Sequence, residues 1–194
     1  MSRVLVVYAS HYGQTRTIAM TLAERLRSSG HDVSVADANG PVPAPTTFDI
    51  VVLGSRIELG RHAGSLLSYI RAHLDDLERA KTAFFSVSMT ASDRDAGADP
   101  SGYLAATFDS LAWRPTLSIA FGGGLPYRKY GRILRFVMKR ISKAAGHTTD
   151  TSRNHEFTDW TAVDRFADRI AALSQASRAS YHERAGTSIT GHGA

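Results

Sequence analysis

Residues 3–19 read RVLVVYASHYGQTRTIA, a short apolar run, a turn holding hydroxyls and a glycine, and then the start of a helix. Arg3-Val4-Leu5-Val6-Val7-Tyr8 is β-branched and almost continuously apolar, which suits a strand buried on both faces of a parallel sheet. Ser10 to Thr15 then supply hydroxyls and backbone N–H groups at the N-terminus of a helix beginning near Gly13. Such a terminus has unpaired donors and a partial positive charge, and the two together favour a phosphate. The spacing is neither the G-x-G-x-x-G of a dinucleotide turn nor the G-x-x-x-x-G-K-[ST] of a P-loop.

The rest of the chain continues this alternation of strand and helix, the pattern of an α/β protein with a parallel sheet. Thr15 to Ser28 predicts an amphipathic helix with Ile18, Leu22, Ala23 and Leu26 inward, closed by Gly30. A second strand is expected over His31–Ala36, a proline-bearing loop over Asn39–Thr47, and a third strand over Asp49–Leu53, ending at Gly54. Ala63–Arg79 reads as one helix, Thr82–Val87 as a fourth strand and Tyr103–Leu111 as a helix. Thr116–Phe121 is the fifth strand, running into Gly122-Gly123-Gly124. Five strands in this order, with the S/T-x-x-G-x-T turn after the first, predict a doubly wound parallel sheet of the flavodoxin type, order 2-1-3-4-5. Residues 1–173 form one domain with an insertion at about 125–159, and the last helix is Trp160–Leu173. Residues 174–194, rich in Ser, Gly, Ala and His, are expected to be a disordered tail.

Composition narrows the chemistry. The 194 residues include no cysteine, which removes disulfides, thiolate metal sites, iron–sulfur clusters and cysteine nucleophiles. No apolar run approaches the roughly 20 residues that span a bilayer, and the first strand begins too early for a signal peptide, so a cytoplasmic location is expected. No G-x-S-x-G elbow supports a hydrolase triad. The eight histidines show no H-x-x-x-H or H-E-x-x-H spacing, no metal site is expected, and most of them are read as surface residues. The net charge of +5 is unevenly spread: Ser110–Thr149 carries eight Lys/Arg and no Asp or Glu, leaving the remainder net acidic. One cationic surface is expected rather than general affinity for nucleic acid.

Ligands of an open α/β sheet bind beyond the carboxyl ends of the strands, where three loops meet. The first is Ser10-His11-Tyr12-Gly13-Gln14-Thr15. The second is Gly54 to His62, whose candidate contacts are Ser55, Arg56, Ile57, Glu58 and Gly60; Ile57 and Leu59 are apolar where water is expected, as a surface for a planar ring would be. The third starts at Ser88-Met89-Thr90-Ala91, small and polar, with backbone amides to offer a ring edge and no aromatic to cover the ring face. A fourth feature lies in the insertion. At 100° per residue, Arg128, Arg132, Arg135, Lys139, Arg140 and Lys143 share one side. Leu134, Val137, Met138 and Ile141 share the other, and Phe136 falls among the bases. Such a helix suits an anionic membrane surface or an acidic substrate, and equally a solvated face packed on its own domain.

Several local patterns together resemble the flavodoxin-like, menaquinone-dependent protoporphyrinogen oxidases. They are Tyr12-Gly13-Gln14-Thr15, Gly54-Ser55-Arg56-Ile57 through Gly60-Arg61-His62, Phe84-Phe85-Ser86-Val87, Trp113-Arg114-Pro115, Leu125-Pro126-Tyr127-Arg128-Lys129-Tyr130, Thr149-Asp150-Thr151 and Thr158-Asp159-Trp160. The resemblance covers about Arg3 to Leu173. Tyr12 departs from it, standing where the family loop often has Asp, and so do the three acids between Met89 and Pro100. The resemblance implies FMN as cofactor, a porphyrinogen substrate, hydride transfer to the flavin and electron transfer to a membrane quinone. It implies peripheral attachment at the inner face of the membrane through Arg128, Arg132, Arg135, Lys139 and Lys143, which also suit substrate propionates. It names no general base. An FMN quinone or NAD(P)H oxidoreductase with another substrate is the alternative, and a flavodoxin-type electron carrier is a further one, disfavoured because such carriers are typically acidic.

Overall fold

The computed structural model describes residues 1–88, 102–125, 155–156 and 158–186. In chain order the elements are β1 (Arg3–Ala9), α1 (Gln14–Ser28), β2 (Asp32–Asp37), a 3-10 turn at Pro45–Thr47, β3 (Ile50–Glu58), β4 (Arg61–His62), α2 (Gly64–Ala72) and α3 (Leu74–Arg79). They continue with β5 (Lys81–Ser88), α4 (Tyr103–Leu111), β6 (Leu117–Gly122), β7 (Gly124–Leu125), β8 (His155–Glu156) and α5 (Trp160–Gly186). The main sheet has the order β2-β1-β3-β5-β6, every neighbour parallel. Counting only these five strands, this is the expected 2-1-3-4-5. The two-residue β4 pairs antiparallel with the end of β3.

Alternation along the strands sorts the core into two layers. Val4, Val6 and Tyr8 of β1 face α1 and α5, together with Ile50, Val52, Phe85 and Phe121. Leu5, Val7 and Ala9 face α2, α3 and α4, together with Val51, Leu53, Phe84 and Phe108. The two periodicities explain why an apolar run with no polar face is a strand here: each face has its own helical cover. On α1, Ile18, Ala19, Leu22, Ala23 and Leu26 are all buried, a stripe at helical spacing pressed on the sheet. Trp113 seals the far layer beyond α4, its ring edge-on to Phe108 at 6.2 Å.

Some boundaries differ from the sequence reading. β3 does not stop at Gly54 but continues to Glu58, because Ile57 and Glu58 find partners in His62 and Arg61. The helix expected over Ala63–Arg79 breaks at His73, whose φ of −130° ends α2 before α3 begins. The last helix runs past the expected end at Leu173 to Gly186. Residues 174–185 contain neither proline nor glycine, so nothing local stops the helix before Gly186. β7 and β8 pair antiparallel and bring together the two ends of the insertion; Arg128, Arg132, Arg135, Lys139 and Lys143 lie outside the described residues. No helix among the described residues is long and apolar enough to cross a membrane.

Gly54 is the tightest point of the sheet. A Cβ there would meet Cζ of Phe85 at 1.9 Å, inside the ring's own volume. Phe85 is itself fully buried and pairs with Gly54 across β3 and β5. Gly54→Ala is therefore expected to cost about 1–3 kcal/mol through forced displacement of a packed ring. A lowered urea midpoint with an unchanged slope is the result that checks it.

Candidate functional site

The turn after β1 is built on one glycine. Gly13 has φ 103°, a conformation that side chains rarely adopt, and it turns the chain into α1. Its N–H donates to Ser10 Oγ at 3.2 Å, and its carbonyl accepts the N–H of Thr17 at 2.9 Å as the helix begins. No side chain caps α1, and its first turn carries no acid. Thr15 is only 2% exposed, His11 is exposed, and Tyr12 stands edge-on to His11 with ring centroids 4.5 Å apart. A helix start with no side-chain cap and no acid in its first turn, reached through a glycine, has the chemistry to suit a phosphate monoester.

The second expected loop is a hairpin rather than a loop. Leu59 (φ 51°) and Gly60 (φ 77°) form the two central residues between β3 and β4, both with positive φ as a tight hairpin turn requires. Leu59 is 99% exposed at the tip, while Ile57 is half-buried, so the two apolar residues have different surroundings. Ser55 is fully buried. Its hydroxyl donates to the Arg56 carbonyl at 3.0 Å and accepts the Ala63 N–H at 2.9 Å, fastening the base of the hairpin. The Ser55 side chain is thus occupied by the fold, and the residue lies buried between β1 and β5. Arg56 pairs with Glu58 along the same strand, its Nε at 3.1 Å. A cavity of about 320 Å³ opens beside the hairpin, lined by Asn39, Arg56, Leu59 and Arg61 among others. A larger one of about 730 Å³ lies at the opposite end of the strands, beside Met1, Phe48 and Lys81, away from the carboxyl ends where such sheets bind ligands.

In the second strand of the hairpin, His62 is 4% exposed. Its Nδ1 lies 2.7 Å from Thr107 Oγ1 on α4 and its Nε2 lies 3.0 Å from Ser86 Oγ on β5. Its ring is edge-on to Phe84 at 5.1 Å. Hydroxyls both donate and accept, so this pair of partners satisfies either ring tautomer. His31 is buried as well. Among the described residues no cluster of His, Asp or Glu is suited to a metal ion.

Of the third loop, Ser88 is described, half-buried at the end of β5; Met89, Thr90 and Ala91 lie outside the described residues. Gly123 donates its N–H to the Ser88 carbonyl at 2.9 Å. Thr158, just before α5, accepts a hydrogen bond from Gln14 Nε2 and donates one to the Gly122 carbonyl, each at 2.8 Å. The first loop, the end of β6 and the start of α5 thereby meet at one hydroxyl. Thr158 was visible in the sequence only as part of Thr158-Asp159-Trp160, a helix opening in which Asp159 Oδ1 accepts the Ala162 N–H at 3.1 Å as an N-cap. Its contact with Gln14 has no local signal, since the two residues are 144 apart in sequence.

Residues 5–152 match the model of a flavodoxin domain family. A protein of Leishmania major named protoporphyrinogen IX dehydrogenase [quinone] is 32% identical over 176 residues, covering 88% of this chain and 75% of its own. The protein of the same name from Escherichia coli K12 is 31% identical over 174 residues, covering 89% of this chain and 96% of its own. Among solved structures, oxidised flavodoxin 1 from Bacillus cereus covers 62% of this chain and 84% of its own at 18% identity, with a TM-score of 0.45. The chain belongs to the flavodoxin-domain family and, within it, to the protoporphyrinogen IX dehydrogenase (quinone) group.

Proposed function

We propose that this chain is an FMN-dependent oxidoreductase that oxidises protoporphyrinogen IX to protoporphyrin IX and delivers the electrons to a membrane quinone, a step of heme biosynthesis. The observation that carries the reading is identity of 31–32% spread over 88–89% of the chain with proteins bearing that activity in their names. The uncapped, acid-free start of α1 supports a cofactor ending in a phosphate. Bound FMN would supply the redox chemistry, taking electrons from the porphyrinogen two at a time and passing each pair to a quinone, so that three cycles remove the six electrons and six protons that separate porphyrinogen from porphyrin.

The protein contributes binding, orientation and electrostatics. Ser10, His11, Tyr12, Gly13, Gln14 and Thr15 would hold the phosphate, through backbone N–H groups and hydroxyls. The hairpin residues Arg56, Ile57, Glu58 and Gly60 would flank the flavin ring, and Ser55, buried with its hydroxyl engaged by Arg56 and Ala63, would hold the base of the hairpin in place. Ser88, Met89, Thr90 and Ala91 would offer amides to the polar edge of the ring. The loop has no aromatic residue to cover the ring face, and the puckered porphyrinogen macrocycle would approach there. Arg128, Arg132, Arg135, Lys139 and Lys143 would meet substrate propionates or anionic lipid, supported by the absence of any acid between Ser110 and Thr149.

The purified holoprotein is expected to be yellow and, under anaerobic conditions, to lose its flavin absorbance on addition of protoporphyrinogen and regain it with menaquinone. A flavin that stays oxidised with porphyrinogen but bleaches with NAD(P)H would assign the chain to a different oxidoreductase activity. For the basic insertion, replacing Arg132, Arg135 and Lys139 together with Gln removes three cations worth about 1 kcal/mol each at an anionic surface. Binding to anionic liposomes at low salt should fall by roughly 100-fold. Unchanged co-sedimentation would remove the membrane role.

A further inference from the structure

One hydroxyl ties the phosphate loop to the far side of the site. Thr158 Oγ1 accepts from Gln14 Nε2 and donates to the Gly122 carbonyl, both at 2.8 Å, so its donor and one acceptor position are used. Gln14 is the first residue of α1 and Gly122 the last of β6. Gly122 pairs with Ser88 across β5 and β6, and the Gly123 N–H bonds the Ser88 carbonyl. A polar strip therefore runs from the start of α1, through Thr158, to the carboxyl ends of the two strands beside it.

The start of α1 needs such an anchor. The chain enters it through Gly13, whose φ of 103° leaves the joint without a side chain to pack, and no side chain of the turn caps the helix. Ser10 Oγ holds the Gly13 N–H from within the turn, and Thr158 adds a contact from outside it that bears on the direction of the first-turn N–H groups. Direction matters, because a hydrogen bond weakens steeply once its angle falls below about 120°. Threonine is well suited to anchoring, since its branched Cβ restricts χ1 and so fixes where the hydroxyl points.

We propose that Thr158 is a positioning residue for phosphate recognition, its hydroxyl clipping Gln14, and through it the first turn of α1, to the end of β6. The proposal rests on the FMN reading above but not on the identity of the substrate. It separates Thr158 from residues that would touch the flavin: removing the clip misaligns the donors of the phosphate and leaves the ring site alone. A residue that only stabilised the start of α5 would affect both parts of the cofactor equally.

The test compares FMN with riboflavin, which has the same ring and no phosphate, by fluorescence titration of the full-length flavin-free chain. Thr158→Val keeps the shape and removes the hydroxyl. It is expected to raise the FMN Kd about tenfold, the scale of losing two ordinary hydrogen bonds, with the riboflavin Kd changed by less than about twofold. Thr158→Ser, which restores the hydroxyl, should return the FMN Kd to near the wild-type value. Gln14 is itself placed at the phosphate, so Gln14→Ala is read through the double variant: adding Thr158→Val to it should weaken FMN no further, and additive losses overturn the clip. Thr158→Ala is the second variant if Thr158→Val folds poorly. Equal weakening of both flavins, or an FMN Kd unchanged in both Thr158→Val and Gln14→Ala, overturns the clip. A wild-type chain that binds neither flavin overturns the cofactor reading and the clip with it. Because no arm uses porphyrinogen, failure of the substrate reading is seen separately.

Discussion

Burial of β1 on both faces is the constraint from which the rest of the molecule follows. Val4, Val6 and Tyr8 need cover on one side, Leu5, Val7 and Ala9 on the other, and a single helix cannot provide both. Crossover connections meet the demand by laying α1 and α5 on one face and α2, α3 and α4 on the other. Crossovers also make the strands parallel, so that all their carboxyl ends point the same way. The loops that leave those ends gather on one edge for that reason. The site is a consequence of how the core is covered.

On that edge the backbone, more than the side chains, prepares a place for a ligand. Gly13 turns the chain so that a helix N-terminus opens toward it. Gly54 lets the Phe85 ring lie against β3, and the strand then runs on into a hairpin. The polar side chains nearest to these features are largely employed in holding them. Ser55 fastens the hairpin base, His62 ties the hairpin to Ser86 and Thr107, and Thr158 joins Gln14 to Gly122. This division of labour suits a protein whose chemistry resides in a cofactor: the fold supplies a rigid frame with donors in fixed directions, and rigidity comes from polar contacts satisfied within the frame.

Much of this was legible along the chain because it is local. The β-branched run of β1, the stripe Ile18–Leu22–Leu26, the hydroxyl–glycine turn and the Gly122-Gly123-Gly124 exit each announce themselves within a few residues. Other features were not legible, for identifiable reasons. The extension of β3 to Glu58 depends on pairing with Arg61 and His62, and pairing is a property of two segments. Leu59 carries a positive φ that its residue type disfavours, imposed by the hairpin on either side. The break at His73 is invisible to periodicity, since Leu66, Ile70 and Leu77 keep helical spacing across it while the backbone at His73 leaves the helical region.

The class of fold and the strand order could be read from consecutive residues alone. Apolar periodicity, N-terminal donors and turn residues act over distances shorter than one element, so they are written in consecutive residues. The tertiary structure alone decided which polar side chains remain for a ligand. Ser55 looks like a site residue in the chain but is buried, its hydroxyl held by the Arg56 carbonyl and the Ala63 N–H, because a buried hydroxyl must find partners. Thr158 looks like part of a helix opening but reaches Gln14 at the start of α1, because the winding of α5 beside α1 closes a gap of 144 residues to one hydrogen bond.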